Sequence, residues 1–392
     1  MPQPRRALCL ALCALPLAGC APQSTLGYYW QSLSGQVRLL HAARPVPDWI
    51  ADSATPPALR ERLLLAQRAR AFAVTALHLP DNASYHRYAD LHRAAAVWNV
   101  VAAPPYSLTL HTWCFPVVGC VGYRGYFAEA DARAEAAELA AQGLEVNVYG
   151  VPAYSTLGYL NWLGGDPLLS TFIAWPEGDL VRLVFHELAH QVVYAPGDTM
   201  FNESFATAVQ RLGGDLWLAT EAGPAGRAAT LANDQRREEF RALTRATRAR
   251  LEAIYKQNQP PAQDTQALAA IKSGAFQDFR NQYAALRARW LQAPGSSPAQ
   301  VAGYDRWVRE ANNAAFGTLA AYDGWVPAFE ALFEQEGRDW PRFYAAVRAL
   351  AQLPPGERHA RLDALGAAPE AQRPSSSGTP APTRNTATAR TS

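Results

Sequence analysis

The spacing of apolar and polar positions divides the chain into a first half that mixes two periods and a second half that is nearly all helical. Leu63, Leu64, Ala71, Val74 and Leu77, with arginines and Gln67 between them, predict a helix over residues 60–79 that Pro80 ends. Tyr88, Leu91, Ala95 and Trp98 stand three or four apart and predict a second helix over 84–101, closed before Pro104 and Pro105. Extended pieces follow: 107–113 alternates, 121–127 is aromatic and broken by glycine, and 145–151 shows period two at Val146, Val148 and Gly150. Between the last two, residues 128–142 form an Ala/Glu/Arg helix stopped by Gly143. Beyond residue 226, helices are expected over 227–255, 264–290, 298–322, 326–336 and 341–353, separated by Pro or Gly. Residues 21–57, interrupted by Pro45, Pro47, Pro56 and Pro57, read as a tether merging into the fold. From residue 367 the chain turns to Ser, Thr, Pro, Ala and Gly, which cannot bury enough apolar area to offset ordering entropy, so a disordered tail is expected over 367–392. No internal repeat is visible.

Composition narrows this picture. With 392 residues, 49% hydrophobic and 18% charged, the chain can bury a sizeable core, and wholesale disorder is excluded. A formal charge of +2 makes no electrostatic case for nucleic acid. The N-terminus changes even that figure. Arg5 and Arg6, an apolar run over 7–17, and Ala18-Gly19-Cys20 read as a secretory signal peptide over 1–19. The run is shorter than the roughly 20 residues a spanning helix needs. Leu17-Ala18-Gly19-Cys20 resembles a bacterial lipobox, which implies acylation of Cys20 and a membrane attachment through that lipid. Ala21 after it, in place of Asp, resembles lipoproteins sent to the outer membrane of Gram-negative bacteria, facing the periplasm. Removing the leader takes two arginines and no acidic residue, so the mature chain is formally neutral.

Cysteine use agrees with an oxidising compartment. Cys9 and Cys13 leave with the leader and Cys20 carries lipid, so Cys114 and Cys120, six apart, are most simply a disulfide around a small loop. A metal site on the two cysteines would need further ligands, and only His111 is close. Lysines occur only at 256 and 272, a bias that reads as genome composition.

The chemistry lies in Phe185-His186-Glu187-Leu188-Ala189-His190, which contains His-Glu-x-x-His. On a helix, residues i and i+4 share a face with Cβ atoms about 5–6 Å apart, so His186 and His190 can bind one ion. Glu187 is turned by about 100° and stands beside the ion as a general base, not as a ligand. Leu180, Val181, Leu183, Val184, Leu188, Val192 and Val193 make a heavily buried helix, with Asp179 as its expected N-cap and Pro196-Gly197 as its stop. A third ligand is expected from a second helix, with an apolar face at Phe201, Phe205, Ala208, Val209 and Leu212, a cap at Asp198 or Thr199, and an end at Gly213-Gly214. Glu203 is the natural choice; Asp198, Asp215 and Glu221 are less well placed. A single Zn2+ on two imidazoles and a carboxylate would acidify water and polarise a carbonyl, with Glu187 moving the proton to the leaving amine. Tyr322, or else Tyr304, is the candidate oxyanion donor, and Asp166, Glu177 and Glu145 are unranked anchors for a substrate ammonium. Residues 150–158 or 168–175 offer an edge strand for an extended peptide substrate.

The arrangement of Glu203 on a second helix resembles the Glu-zincin metallopeptidases, though the spacing is shorter than in their best-known aminopeptidases and no Gly-x-Met-Glu-Asn stretch occurs. Over residues 27–353 the chain is similar to the predicted aminopeptidase family of bacterial lipoproteins. The shared stretches are 98–102, 114–127, 153–158, 185–191, 201–207 and 312–314. The resemblance implies a zinc peptidase, preferably an aminopeptidase. The fold expected is α+β, predominantly α-helical and zincin-like, with a small mixed sheet before the His-Glu-x-x-His helix and a helical C-terminal lobe. Its divisions are a lipid-anchored segment over 20–57, a metallopeptidase core over 58–215 and the helical lobe over 216–366. Two other readings stand beside it: a non-catalytic envelope lipoprotein with a structural metal that binds a partner, and a zinc hydrolase of a cell-wall amide. No specific protein partner is expected.

Overall fold

A computed structural model of the chain describes residues 25–115, 119–153, 164–258, 265–319 and 324–367. The leader, Cys20, residues 154–158, Tyr322 and all but the first residue of the 367–392 tail lie outside the described residues.

The chain enters through helix α1 (Thr25–Ala42), where a tether was expected. Its inner face carries buried Gln36 and Leu39, and Gly35 lets it approach Phe127 so closely that a Cβ would lie 2.2 Å from that ring. The prolines do interrupt it: strand β1 (Arg44–Pro45) and helix α2 (Val46–Ala51) follow, then α3 (Pro57–Thr75). The helix expected over 84–101 is absent. In its place stand strands β2 (Arg87–Ala89) and β3 (Val97–Ala103). The reason is visible in β3. Val100 and Ala102 pack in one apolar cluster and Val101 and Ala103 in another, so both faces are covered and the sequence shows a continuous apolar run instead of alternation.

Strands β4 (Trp113–Phe115), β5 (Gly119–Val121), β6 (Arg124–Tyr126), helix α4 (Glu129–Ala141) and strand β7 (Glu145–Val151) complete this part. β3 lies between β6 and β7, antiparallel to both, with Val97 opposite Val151 and Ala103 opposite Glu145. α4 covers one face through Ala132 and Leu139. A second sheet has the order β1-β2-β8, where β8 (Leu168–Leu169) runs parallel to β2. Among the described residues the fold is therefore predominantly helical with small mixed sheets, as the pattern predicts.

The helical remainder comprises α5 (Glu177–Ala189), α6 (Thr199–Thr220), α7 (Pro224–Gln257), α8 (Thr265–Gln292), α9 (Pro298–Glu310), α10 (Asn313–Thr318), α11 (Val326–Gln335), α12 (Trp340–Ala351) and α13 (Pro355–Gly366). The single helix expected over 298–322 is broken at Asn312, whose side chain caps α10 by accepting from the Ala315 N–H and donates to the Val146 carbonyl. α10 thereby covers the second face of β3 through Ala314. α6 also departs from expectation, because it runs straight through Gly213-Gly214. Those glycines let helices touch: a Cβ at Gly213 would lie 2.6 Å from Leu77, and one at Gly214 would lie 2.5 Å from Arg182. The largest core joins α3, α5 and α6 to α11, α12 and Leu362 of α13, and a second gathers Leu251, Phe279, Trp290 and Phe316 around α7–α10. No helix among the described residues is long and apolar enough to cross a membrane.

Candidate metal centre

α5 starts directly after Pro176, whose fixed φ suits the entry to a helix, and no side chain caps it. Asp179, the expected cap, is inside the first turn. It accepts from Asn233 Nδ2 (2.8 Å) and Arg237 (2.6 Å) on α7, so tertiary charge pairing replaces the local capping role. Leu180, Val181, Val184, Phe185 and Leu188 are fully buried. Arg182 on the same helix is held by Asp234 at 2.6 and 2.8 Å and by Asp215 at 3.3 Å. The helix ends early: His190 is already its C-cap, well before Pro196.

A tight turn then returns the chain to α6, and two side chains fix it. Asn202 is buried and clamps Ala195, its Oδ1 accepting from the Ala195 N–H (2.8 Å) and its Nδ2 donating to the Ala195 carbonyl (2.9 Å). Asp198 caps α6, accepting from the Phe201 N–H, as one of the two expected caps. On the other side of α5, Gln191 receives a hydrogen bond from Asn82 (2.7 Å) and donates to Ser84 (3.3 Å).

These elements bring His186, His190 and Glu203 together, with one ligand atom from each lying within 4.8 Å of the others. Nε2 of His186 is 3.2 Å from Nε2 of His190 and 3.4 Å from a Glu203 oxygen, and His190 Nε2 is 3.7 Å from the other oxygen. A tetrahedral ion with bonds of about 2.05 Å has ligand-to-ligand edges of about 3.3 Å, close to the separations of His186 from His190 and from one Glu203 oxygen, while the other oxygen is the one that faces His190. The rings stand at 86° to each other, with both Nε2 atoms turned inward. Both Nδ1 atoms are buried, and the two Nε2 atoms face each other and the Glu203 carboxylate.

Electrostatics point the same way. Burial, and then the nearby His186, push His190 down to about 4. Burial also presses on His186, but Glu203 and Glu187 outweigh it and raise its pKa. Glu203 is held below the usual carboxylate value because the two histidines outweigh its burial. The cluster thus favours one imidazolium beside a carboxylate, a cation place that a metal ion can take.

Glu187 is half-buried and is not one of the three residues of the ligand cluster. Its surroundings include Tyr85, which the sequence reading missed. Tyr85 is buried with φ 67°, a strained value for a bulky residue, and burial, Glu187 and Asp166 raise its pKa well above the usual value. No local sequence signal marks it.

The rival carboxylates are engaged elsewhere: Asp198 with Arg358, Asp215 with Arg182, Glu221 with Arg68. Of the ammonium anchors, Glu145 pairs with Lys272 and accepts from the Asn313 N–H, and Glu177 accepts from Trp217 Nε1. Asp166 is buried beside Tyr85, whose N–H donates to its carbonyl (2.6 Å). Tyr304 packs against Phe240 and Trp290 in the second core. Cys114 and Cys120 are joined as a disulfide across β4 and β5, which leaves neither sulfur as a thiolate ligand.

A family model described as "Putative aminopeptidase" matches residues 27–362. The chain belongs to that family. The match runs from α1 through the ligand cluster into α13, so the peptidase class that the family's description suggests covers most of the described fold. No curated protein and no solved structure matches the chain.

Proposed function

We propose that the chain is a zinc-dependent aminopeptidase of the cell envelope, with one Zn2+ on His186, His190 and Glu203 and with Glu187 as general base. The convergence of two imidazole nitrogens and a carboxylate, with one ligand atom from each within 4.8 Å of the others, carries the reading. Two imidazoles and one carboxylate suit zinc by ligand type and leave a fourth position open to substrate or water. When bound, the ion supplies a Lewis acid that acidifies water and polarises the scissile carbonyl.

The remaining work falls to the chain. His186 and His190 present Nε2, so each keeps its other ring proton on Nδ1. Glu187, one position along α5 from His186, accepts the proton of the attacking water and passes it to the departing amine. Tyr322 is proposed as donor to the developing oxyanion. The described residues that follow it dock on α6: Gly324 lies against Met200, and the Trp325 N–H donates to Ser204 Oγ, next to Glu203. Acylation of Cys20 would hold the enzyme at the outer membrane, facing peptide substrates in the periplasm.

Metal analysis of the purified chain, combined with hydrolysis of aminoacyl reporters and of internally quenched peptides, tests the reading. Stoichiometric zinc and release of N-terminal residues are expected. A metal-free chain would refute the metallopeptidase, and cleavage confined to internal bonds would refute the exopeptidase. Mass spectrometry of the mature N-terminus tests the lipid.

A further inference from the structure

Outside the ligand cluster, a largely buried polar group lies where α13 meets the first turn of α6. The two oxygens of Asp198 are divided between two tasks. Oδ1 accepts from the Phe201 N–H (3.1 Å), capping the helix that carries Glu203. Oδ2 accepts from Arg358 Nη1 (2.7 Å) and from His359 Nε2 (2.8 Å), both on α13. Arg358 is fixed in turn: its Nη2 donates to the carbonyls of Ala351 (3.3 Å) and Leu353 (3.0 Å), and its guanidinium lies 5.2 Å from the Phe201 ring. The His359 ring lies 4.5 Å from that of Trp325, whose indole donates to Asp363 (2.8 Å) and whose backbone N–H donates to Ser204 Oγ (3.2 Å). Asp198, Phe201 and Ser204 are therefore all engaged by α13 or by Trp325, and Glu203 stands among them.

Packing alone does not require this. The side chains of Asp198 and Arg358 are 8% and 6% exposed, and burying an ion pair in place of apolar residues gains little stability. What a buried charge pair does supply is a fixed register, and Glu203 needs one to keep its carboxylate at ligand distance from two histidines on another helix.

We propose that α13 is a positioning element of the metal site: Arg358 and His359 hold Asp198, and Asp198 sets the first turn of α6 so that Glu203 meets His186 and His190. The inference rests on the zinc reading above. Neither residue touches the ion; both act through the cap.

The test uses the full-length chain stripped of metal and titrated with Co2+, whose visible absorption reports ligand geometry and whose dissociation constant needs no substrate. His359→Phe keeps a ring on Trp325 and removes the donor; it is expected to weaken Co2+ binding about tenfold and to change the absorption band. His359→Gln restores a donor and should return the constant to within about twofold of the parent. Arg358→Met should weaken binding at least as much as His359→Phe. Where that variant fails to fold, Asp198→Ser with Arg358→Met keeps a capping oxygen, leaves no buried charge, and should show the same weakening. Folded variants with the parent's constant and spectrum overturn the clamp while leaving the zinc reading intact. A parent chain that takes up neither Co2+ nor Zn2+ removes the zinc reading and the clamp with it.

Discussion

Glu203 and Glu135 are both largely buried carboxylates, with side chains 23% and 8% exposed, yet they have opposite surroundings. Glu135 on α4 accepts from Arg124 (3.2 and 3.3 Å), from the Tyr126 hydroxyl (3.0 Å) and from Trp113 Nε1 (3.3 Å). Arg124 is itself covered by the Tyr28 ring at 4.5 Å. A permanent cation and two neutral donors complete that carboxylate, and the group joins α1, β6 and α4 as structure. Glu203 faces two imidazoles and, among the described residues, no permanent cation at ion-pair distance. The first arrangement is electrostatically closed and the second is not, and a divalent cation is what would close it. Burial of a charge thus does not by itself mark a candidate site here; burial without a fixed counter-charge does.

The sharpest break in this contrast is chemical. Glu187→Gln should retain metal and lower kcat by about a thousandfold, since it removes the proton carrier and leaves the ligands in place. Stopped or steady-state assays with metal content measured on the same sample decide it, and undiminished turnover would end the general-base assignment. Next come the two carboxylates themselves. Glu135→Gln leaves the buried Arg124 without its charge partner and should lose about 3–5 kcal/mol in denaturant unfolding, with the metal dissociation constant unchanged. Glu203→Gln should do the reverse, weakening metal binding by more than about a hundredfold with a small effect on the metal-free fold. If both substitutions act alike on metal and stability, the distinction between closed and open sites fails.

How far the sequence foretells this follows from range. His186, Glu187 and His190 are legible because helix geometry over four residues is all the chemistry needs. Glu203 is legible because an apolar period marks its helix. β3 is misread as helix because Val100 and Val101 are both buried, on opposite faces, which erases the alternation that reveals a strand. Asn202 stands beside Glu203 in plain view, yet its clamp on Ala195 exists only once the turn has closed. Asp198 is legible as a cap. Its partners Arg358 and His359 are 160 and 161 residues away, on a helix the pattern did not set apart, and no local period connects them.

A smaller effect concerns protons. Metal binding needs Nε2 free on both histidines, and in the metal-free chain Glu203 holds His186 above its ordinary 6.5. Binding near neutral pH should therefore release up to one proton, and affinity should fall about tenfold for each pH unit below the His186 value. Calorimetry in buffers of different ionisation heat measures both. For the metal-free fold the two histidines act in opposite senses. His190, depressed to about 4, stays neutral while its unfolded counterpart takes a proton, so its stability term is lost as pH falls from about 6.5 toward 4. His186, raised, contributes stability below its unfolded value that is lost as pH rises through its folded value. Affinity independent of pH between about 5 and 7 would contradict the assignment of His186 as a ligand.

The least effect belongs to a third carboxylate that tests whether distance or environment governs. Glu129 accepts from Arg133 at 2.6 and 2.9 Å, closer than any bond that Glu135 makes, but the two side chains are 44% and 68% exposed. Water screens that pair and the chain must hold two long side chains still to form it, so Glu129→Gln should change unfolding free energy by less than about 0.5 kcal/mol. Denaturant midpoints at low and high salt measure it, with any difference shrinking as salt rises. A loss comparable to that of Glu135→Gln would mean that short contact, not desolvation, sets the strength of these pairs. The open character of the Glu203 cluster would then have to be argued from the convergence of its three side chains alone.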